Sequence, residues 1–563
     1  MLEPVSYDIG RVCKEKDGTL TPNLIDVKIR SYTSKKSEEI FLLLPFSKVS
    51  DGILTPTIKM PFDTPREIAG IFNKSHVGNA KYKDEEITYQ IINVGKHIDL
   101  LKIEDADLYI IADGRRIIER KELLIIQKIR EKISPNSGIY FPGTIPYEMP
   151  LLAYMGVDYF DNISAKYYAS LGYKFTKNRL IKSNDDFEML YMHNKKVIDE
   201  VLEEIRYCIK EGCLRNLVEE TTISNPYLRA NYRRYNPDLR NIPSSKGKKI
   251  IVCIDETRIP EVKKYIERAK NYEPFTNVVV LLPCSSKKPY STSKSHKFFI
   301  NAINSSKMVV EEIILTSPYG LVPRALEGVV NYDIPVTGEW SNEEVEFINE
   351  TLKNYIKKVK EKFGDTIIIS HLPEHYLEIL DLDDYINTAV DGNPLSDESL
   401  NNLKETLKKI KEEQNINLNK KQQKIHNYQQ LAKFQFGVNF IPDDVVIKDR
   451  PNKRFLINKN NKLVQICSLN ENNGLFVLTL QGGELLWELN GKDVLYVEVN
   501  YDIRKGSLFA PGFKDCNENI SVNDEIVLIK DDEVVGVGRA LMNGLEMKKA
   551  KHGALVNIRH VKS

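Results

Sequence analysis

Val278-Val-Val-Leu-Leu-Pro-Cys-Ser-Ser-Lys-Lys-Pro-Tyr-Ser-Thr-Ser-Lys-Ser-His296 is the stretch from which the rest of the chain can be ordered. Five consecutive apolar residues, Val278 to Leu282, read as a strand covered on both faces, the pattern of a parallel sheet rather than of a half-solvated one. Pro283 has no amide hydrogen and stops the ladder. The loop that follows gathers a thiol (Cys284), ammonium groups (Lys287, Lys288, Lys294), a phenol (Tyr290), several hydroxyls including Ser293, and an imidazole (His296). In open α/β sheets ligands bind beyond the carboxyl ends of strands, so this loop lies where a site belongs. A solvated connection has much the same Ser/Lys composition. Cys284 separates the two readings, because a thiol flanked by lysines and a histidine is in the electropositive setting that favours thiolate.

Outward from this stretch the strand pattern recurs in Lys249-Ile-Ile-Val-Cys-Ile254, Ile313-Ile-Leu-Thr316 and Thr366-Ile-Ile-Ile-Ser370, alternating with helical stretches around Pro260 to Lys270, His296 to Ser305 and Ser341 to Phe363. The alternation predicts a doubly wound α/β core domain over 241–390. Two further polar loops follow its strands, and strand topology alone brings all three to one sheet edge. Ser317-Pro-Tyr-Gly-Leu-Val-Pro-Arg-Ala-Leu326 offers Ser317, Tyr319 and Arg324 for substrate binding; the other reading is a Pro/Gly turn with a surface arginine. His371-Leu-Pro-Glu-His375 spaces two histidines by four, but Pro373 argues against the helix that would align them, so no metal is expected.

The chain has 563 residues, too many for one hydrophobic core. Hydrophobic residues make up 42% and charged residues 28%. No apolar run approaches the length of a bilayer span and no secretory segment follows Met1, so the expectation is a cytoplasmic protein without membrane contact. Seven scattered cysteines without a C-x-x-C pair argue against a disulfide framework and a cysteine-rich zinc site. The net charge of +1 carries no signal, whereas local runs do. Basic clusters stand at Arg229 to Arg240, Lys246 to Lys249 and Lys548 to Lys551, and aromatics interleave the first of them, a mixture suited to phosphate contact and base stacking as well as to a solvated face. No Gly-x4-Gly-Lys-Ser/Thr loop is present, and no nucleotide or other cofactor is expected.

Residues 1–240 mix short strand patterns with amphipathic stretches, which suggests an α/β barrel similar to a TIM barrel. In Pro146-Tyr-Glu-Met-Pro-Leu-Leu-Ala-Tyr-Met-Gly-Val-Asp-Tyr-Phe-Asp-Asn162 a helix ends at Gly156 and a short strand delivers Asp161 at its tip, a catalytic placement in barrels and also a helix-capping one. Residues 391–435 are charged and helix-prone and read as an exposed helical linker; 436–490 form a small α+β domain; and 491–563 alternate at period two like a compact β-barrel.

The Gly156-Val-Asp-Tyr-Phe-Asp161 segment resembles the tRNA-guanine transglycosylases, in which the corresponding aspartate is the nucleophile. That resemblance places Asp161 and Asp158 at a nucleoside pocket. The family's zinc cluster and Gly-rich base loop are missing, which implies a barrel that holds a nucleoside without exchanging it. The last segment, with Ala510-Pro-Gly-Phe513 and Val534-Val-Gly-Val-Gly-Arg-Ala540, resembles the PUA domains and implies RNA binding through Lys505, Ala510, Pro511, Gly512 and Arg539. Together with Pro283-Cys284-x3-Lys288-Pro-Tyr290-x2-Ser293-x2-His296, the chain resembles the archaeosine synthase family.

That resemblance implies an archaeal enzyme acting on tRNA that carries 7-cyano-7-deazaguanine in its D-loop, where an amine, lysine in one version, is added to the nitrile. A partner radical enzyme then finishes archaeosine. On chemical grounds a thiolate at Cys284 adds to an electrophilic nitrile carbon, His296 moves protons, Lys288 tunes the thiol or holds the donor carboxylate, and Tyr290 and Ser293 orient the nitrile nitrogen; the other route is direct attack by the donor amine with Cys284 only structural. Base exchange and plain tRNA delivery remain the alternatives, and a homodimer is left open.

Overall fold

The structure, a computed structural model, describes residues 2–25, 28–34, 37–44, 53–55, 77–83, 85–93, 102–112, 114–244, 250–251, 259–330, 332–333, 340–414, 419–450 and 452–562. They fall into two compact units, Met1–Pro243 with Ser507–Phe513 and Leu541–Val556, and Ser244–Gly506 with Lys514–Ala540 and Asn557–Ser563. The architecture is mixed α/β, and among the described residues no helix is long and apolar enough to cross a membrane.

In the first unit the strands Asn23–Ile25, Tyr159–Asp161, Gly138–Tyr140, Leu108–Ala112, Glu85–Asn93 and Val77–Tyr82 lie side by side in that order. All neighbours run parallel except the last pair, which is an antiparallel hairpin. Among the described residues no pairing joins Asn23–Ile25 to Val77–Tyr82, so this sheet is described with two edges rather than as the closed barrel expected from sequence. The helix Phe187–Glu211 packs on the hairpin Glu3–Asp8 and Gly10–Lys14, on the helix Ile163–Ser170 and on the edge strand Asn23–Ile25, and it buries Leu190, Val197, Ile198, Val201, Leu202 and Ile205 at three- and four-residue spacing. Its ends follow from local chemistry. The Asp186 side chain accepts from Met189 N, and Gly212 closes the helix at φ 79°, a conformation in which a Cβ is strained.

The second unit is built on Val278–Pro283, all six residues of which are buried. This strand sits at the centre of a five-stranded sheet ordered Gly320–Pro323, Glu311–Thr316, Val278–Pro283, Ile367–Ser370, Ile386–Asn387. The three middle strands are parallel, and Gly320–Pro323 folds back antiparallel on Glu311–Thr316. The helices Lys294–Ser306 and Asn342–Phe363 connect them. The sequence placed Lys249–Ile254 in this sheet as well. Its described part, Ile250–Ile251, pairs instead with Tyr332–Asp333 in a separate two-stranded ladder, and Cys253 and Lys246–Lys249 lie outside the described residues.

The charged segment 391–435 forms two helices, Asp397–Glu413 and Lys420–Phe436, that are not an exposed linker. Leu403, Leu407 and Ile410 on the first, and Ile425, Leu431 and Phe436 on the second, belong to the same core as the central strand. Their lysines and glutamates cover only the outer face, which is what dominated the composition. Beyond them the strands Val446–Lys448, Arg454–Lys459, Lys462–Asn470 and Leu475–Leu478 make an antiparallel meander capped by the helix Leu480–Asn490. In the C-terminal segment Glu525–Lys530 pairs parallel with Tyr496–Val499 and antiparallel with Glu533–Ala540.

Candidate active site

Parallel pairing puts the carboxyl ends of Val278–Pro283, Glu311–Thr316 and Ile367–Ser370 at one edge of the sheet, with the Cys284 loop in the middle. The loop is anchored by the helix that follows it. The Ser293 hydroxyl accepts from the His296 amide at 3.2 Å and is the N-cap of Lys294–Ser306. The same hydroxyl lies 3.2 Å from that of Ser295, so its recorded contacts serve the start of the helix rather than a nitrile.

The His296 ring is wholly buried. A carbonyl only accepts and a guanidinium only donates, so the two ring contacts fix the tautomer. Nε2–H donates to the Pro283 carbonyl at 3.0 Å, and Nδ1 accepts from Arg324 Nη2 at 2.9 Å. Burial, reinforced by the Arg324 charge, pushes the imidazole down to about 3. A proton shuttle needs a free lone pair and a pKa near neutrality, and this ring has neither, so the expectation for His296 is corrected to a structural one. Arg324 is committed in the same way. It donates to Glu312 Oε2 at 2.9 and 2.7 Å and to Glu327 Oε2 at 2.9 Å, while Glu327 Oε2 also accepts the Ser291 amide at 2.9 Å. Four of its five N–H groups are committed in this way, and the residue clamps the loop to the sheet.

The second loop's other members are equally occupied. Ser317 donates its hydroxyl to Glu344, and Tyr319 is buried against the rings of Tyr265 and Tyr332. In the third loop His371 is buried between Thr388 and the Pro394 carbonyl.

What remains at the sheet edge is Cys284 and Lys288, both half-buried. The Cys284 amide donates to Tyr376 Oη at 3.4 Å, and Tyr376 Oη donates to Cys284 Sγ at 3.3 Å. The Tyr376 ring packs edge-on against Trp340 at 4.6 Å. Lys288 Nζ sits 3.6 Å from the centre of the Tyr332 ring, a close cation–π contact. Below it the Tyr332 hydroxyl is bonded to Thr316 and lies 2.9 Å from that of Tyr290, which is fully buried. Tyr290 is thus a floor for Tyr332 rather than a group offered to substrate. Burial, and then the neighbouring Cys284, holds the Tyr332 and Tyr376 phenols well above their ordinary range. Sequence reasoning missed Tyr332 and Tyr376. Tyr376 stands directly after His375 in the third loop, and only the strand order reveals that this loop flanks Cys284.

In the first unit the two aspartates are held differently. Asp158 is wholly buried, accepts from Arg11 Nε and Nη2 at 3.0 Å each and from Arg130 Nη2 at 2.8 Å, and takes the Ile139 amide. This is an internal anion for two guanidiniums, and its expected place in a nucleoside pocket is corrected. Asp161, also fully buried, stands at the carboxyl end of its strand and accepts from Tyr140 Oη at 2.6 Å, Gly143 N at 3.0 Å and Ile163 N at 2.9 Å. Burial raises it to about 6 against the pull of those three donors. A cavity of about 370 Å³ in this unit opens at the other end of the sheet, beside Leu108, Gly138 and Tyr159, where Lys83 bridges Glu15 and Asp17.

Of the residues expected to meet RNA, Lys505 and Pro511 are exposed, Ala510 and Arg539 are half-buried, and Gly512 is buried in the short 3-10 turn Ala510–Gly512. Phe509, which the sequence reading passed over, is 51% exposed. Of the Lys548–Lys551 cluster, Lys551 is paired with Asp105 at 2.5 Å and Lys549 donates to the Glu131 carbonyl.

Residues 262–407 match a domain of unknown function, DUF5591, and residues 498–562 match the PUA domain. The chain is 63% identical to an archaeosine synthase of Methanocaldococcus jannaschii over the whole of both chains. It is 30% identical to an archaeosine synthase subunit alpha of Methanosarcina acetivorans, over 82% of this chain and 80% of that one. A tRNA-guanine(15) transglycosylase of Methanosphaera stadtmanae is 24% identical over 66% of this chain and 55% of its own. Identity of 63% over the full length of the chain, which includes the PUA segment, shows that the chain belongs to the archaeosine synthase family.

Proposed function

We propose that the protein acts on tRNA in archaeosine biosynthesis, adding an amine to the nitrile of 7-cyano-7-deazaguanine in the D-loop to give an amidine. The observation that carries this reading is the full-length identity to an archaeosine synthase, joined to a half-buried thiol, Cys284, at the open edge of a parallel sheet. In the proposed reaction the Cys284 sulfur adds to the nitrile carbon, forming a C–S bond as one π pair moves to nitrogen, which takes up a proton. The donor amine then attacks the thioimidate carbon; the C–S bond breaks, the thiolate leaves, and the amine's proton goes to solvent. Lys288, half-buried over the Tyr332 ring in the same loop, is proposed to hold the donor's carboxylate. Free lysine is the proposed donor, and a partner radical enzyme is proposed to complete the base.

Base exchange is the weaker reading. A nucleophilic carboxylate has to reach the ribose, and Asp161 is sealed with three donors on its two oxygens. The first unit, whose parallel sheet ends at Asp161, is proposed to bind tRNA rather than to cleave a glycosidic bond. The PUA segment is proposed to hold the RNA through the exposed Lys505 and Phe509.

The test is mass spectrometry of nucleosides from tRNA carrying 7-cyano-7-deazaguanine, incubated with the protein and lysine, glutamine or ammonium in turn. A mass gain equal to one donor supports the reading and identifies the amine. No gain with any donor, under conditions where the tRNA binds, removes it.

A further inference from the structure

The proposed reaction asks for an ionised sulfur and for a group that steadies it, and the histidine that sequence assigned to proton handling is locked away. We infer that Tyr376 is the positioning residue for Cys284, its hydroxyl donating to the sulfur and favouring the thiolate form from which addition starts. The inference rests on the reading of Cys284 as the nucleophile and adds to it a residue outside the Cys284 loop.

Two contacts join the residues from opposite directions: Oη donates to Sγ at 3.3 Å and accepts the Cys284 amide at 3.4 Å. The amide contact orients the hydroxyl, because an oxygen that accepts from the backbone has its one hydrogen free for the sulfur. Trp340, packed edge-on at 4.6 Å, fixes the ring, and the short helix Glu374–Leu377 fixes its backbone. A hydrogen bond to an anion is stronger than one to the neutral form, so a donor that stays protonated stabilises thiolate over thiol. Burial keeps this phenol protonated: only 2% of the residue is exposed, and its acidity is suppressed by the buried setting and by the sulfur itself. Lys288 is turned onto the Tyr332 ring, and the Cys284 sulfur accepts from Tyr376, so the phenol rather than the ammonium makes the sulfur contact that the structure records.

The experiment measures alkylation of Cys284 by iodoacetamide in the full-length protein, read by peptide mass spectrometry from pH 6 to pH 10. In Tyr376→Phe the ring that packs on Trp340 is kept and only the donor is lost. The rate at pH 7 is expected to fall about tenfold, the scale of one hydrogen bond to a charged group. The two rates should approach each other as the pH is raised toward 10. Tyr319→Phe, which removes a buried hydroxyl from the same core without a contact to the sulfur, should leave the profile unchanged.

An unshifted profile in Tyr376→Phe, or an equal loss in Tyr319→Phe, overturns the inference. A second measurement needs no substitution: protein grown with 3-fluorotyrosine keeps every ring and strengthens the donor, so the rate at pH 7 should rise, and a fall or no change there also overturns it. The alkylation result is independent of tRNA. Should Cys284→Ala keep the nucleoside mass gain, the nucleophile reading fails while the Tyr376 measurement still stands or falls by itself.

Discussion

Arg324 donates through Nη2 to Nδ1 of His296 at 2.9 Å, and this contact decides what the histidine can do. The ring is held neutral, with Nε2–H on the Pro283 carbonyl, at the point where the central strand becomes the Cys284 loop. A residue chosen from sequence as a proton carrier is the peg that holds the loop to its own strand.

The first prediction concerns that peg. The folded value of about 3 lies below the ordinary 6.5, so the folded state resists the proton that the unfolded chain accepts. The contribution is fully present above pH 6.5 and is lost progressively as pH falls from there toward 3. Urea midpoints measured from pH 7 to pH 4 are expected to fall in the wild type and to flatten in His296→Gln. An acid limb of activity that moves in that variant, with no change in the stability profile, would return His296 to the chemistry.

Arg324→Leu strands Glu312 and Glu327 and takes away the donor on His296. Removing one partner of a largely buried charge cluster costs about 3–5 kcal/mol. Chemical denaturation is the measurement. A cost below about 1 kcal/mol, accompanied by a large rise in KM for tRNA or amine, would instead mark Arg324 as a substrate contact.

Asp158 neutralises Arg11 and Arg130 in a site closed to solvent. Asp158→Asn keeps the shape and takes from two buried guanidiniums the carboxylate they are bonded to, with Glu546 the remaining acidic neighbour, so a loss of about 3–5 kcal/mol is expected in thermal or urea unfolding. Wild-type stability together with loss of tRNA binding would show that the residue faces a nucleoside after all.

Asp161 carries the opposite sign from His296. Its folded value of about 6 exceeds the ordinary 3.8, so the proton-bound form is favoured in the fold. That contribution is fully present below pH 3.8 and is lost as pH rises through 6. Asp161→Asn should remove this dependence, read as a higher urea midpoint at pH 8 relative to pH 5 than the wild type shows, and it should leave amine transfer within about threefold. Labelled guanine entering tRNA in the wild type and not in the variant would establish base exchange and refute the assignment.

The exposed Phe509 and Lys505 supply the test of RNA contact. Phe509→Ala is expected to weaken tRNA binding by about 1–3 kcal/mol if a base stacks there. Lys505→Gln should lower the slope of log K against log salt by about one unit, the signature of a single phosphate contact. Unchanged affinity and slope in both would move the RNA to another surface.

The sequence by itself determined the buried central strand, the polar loop at its carboxyl end and the period-two C-terminal segment. Each of these is written in a short range of residues: five apolar side chains in a row, a proline that ends a ladder, alternation between turns. It also carried the motif resemblance, because side-chain identity and spacing are local. The tertiary structure alone decided what the polar residues do. Ser293, His296, Tyr319 and Arg324 are as polar as Cys284 and Lys288, and nothing in a one-dimensional pattern tells a hydroxyl that caps a helix from one that meets substrate. The partners that settle it, Glu312 for Arg324, Arg324 for His296 and Tyr376 for Cys284, lie 12, 28 and 92 residues away. The charged helices of 397–436 were misread for the same reason: a lysine-rich outer face hides a narrow apolar stripe until the surface it packs on is known.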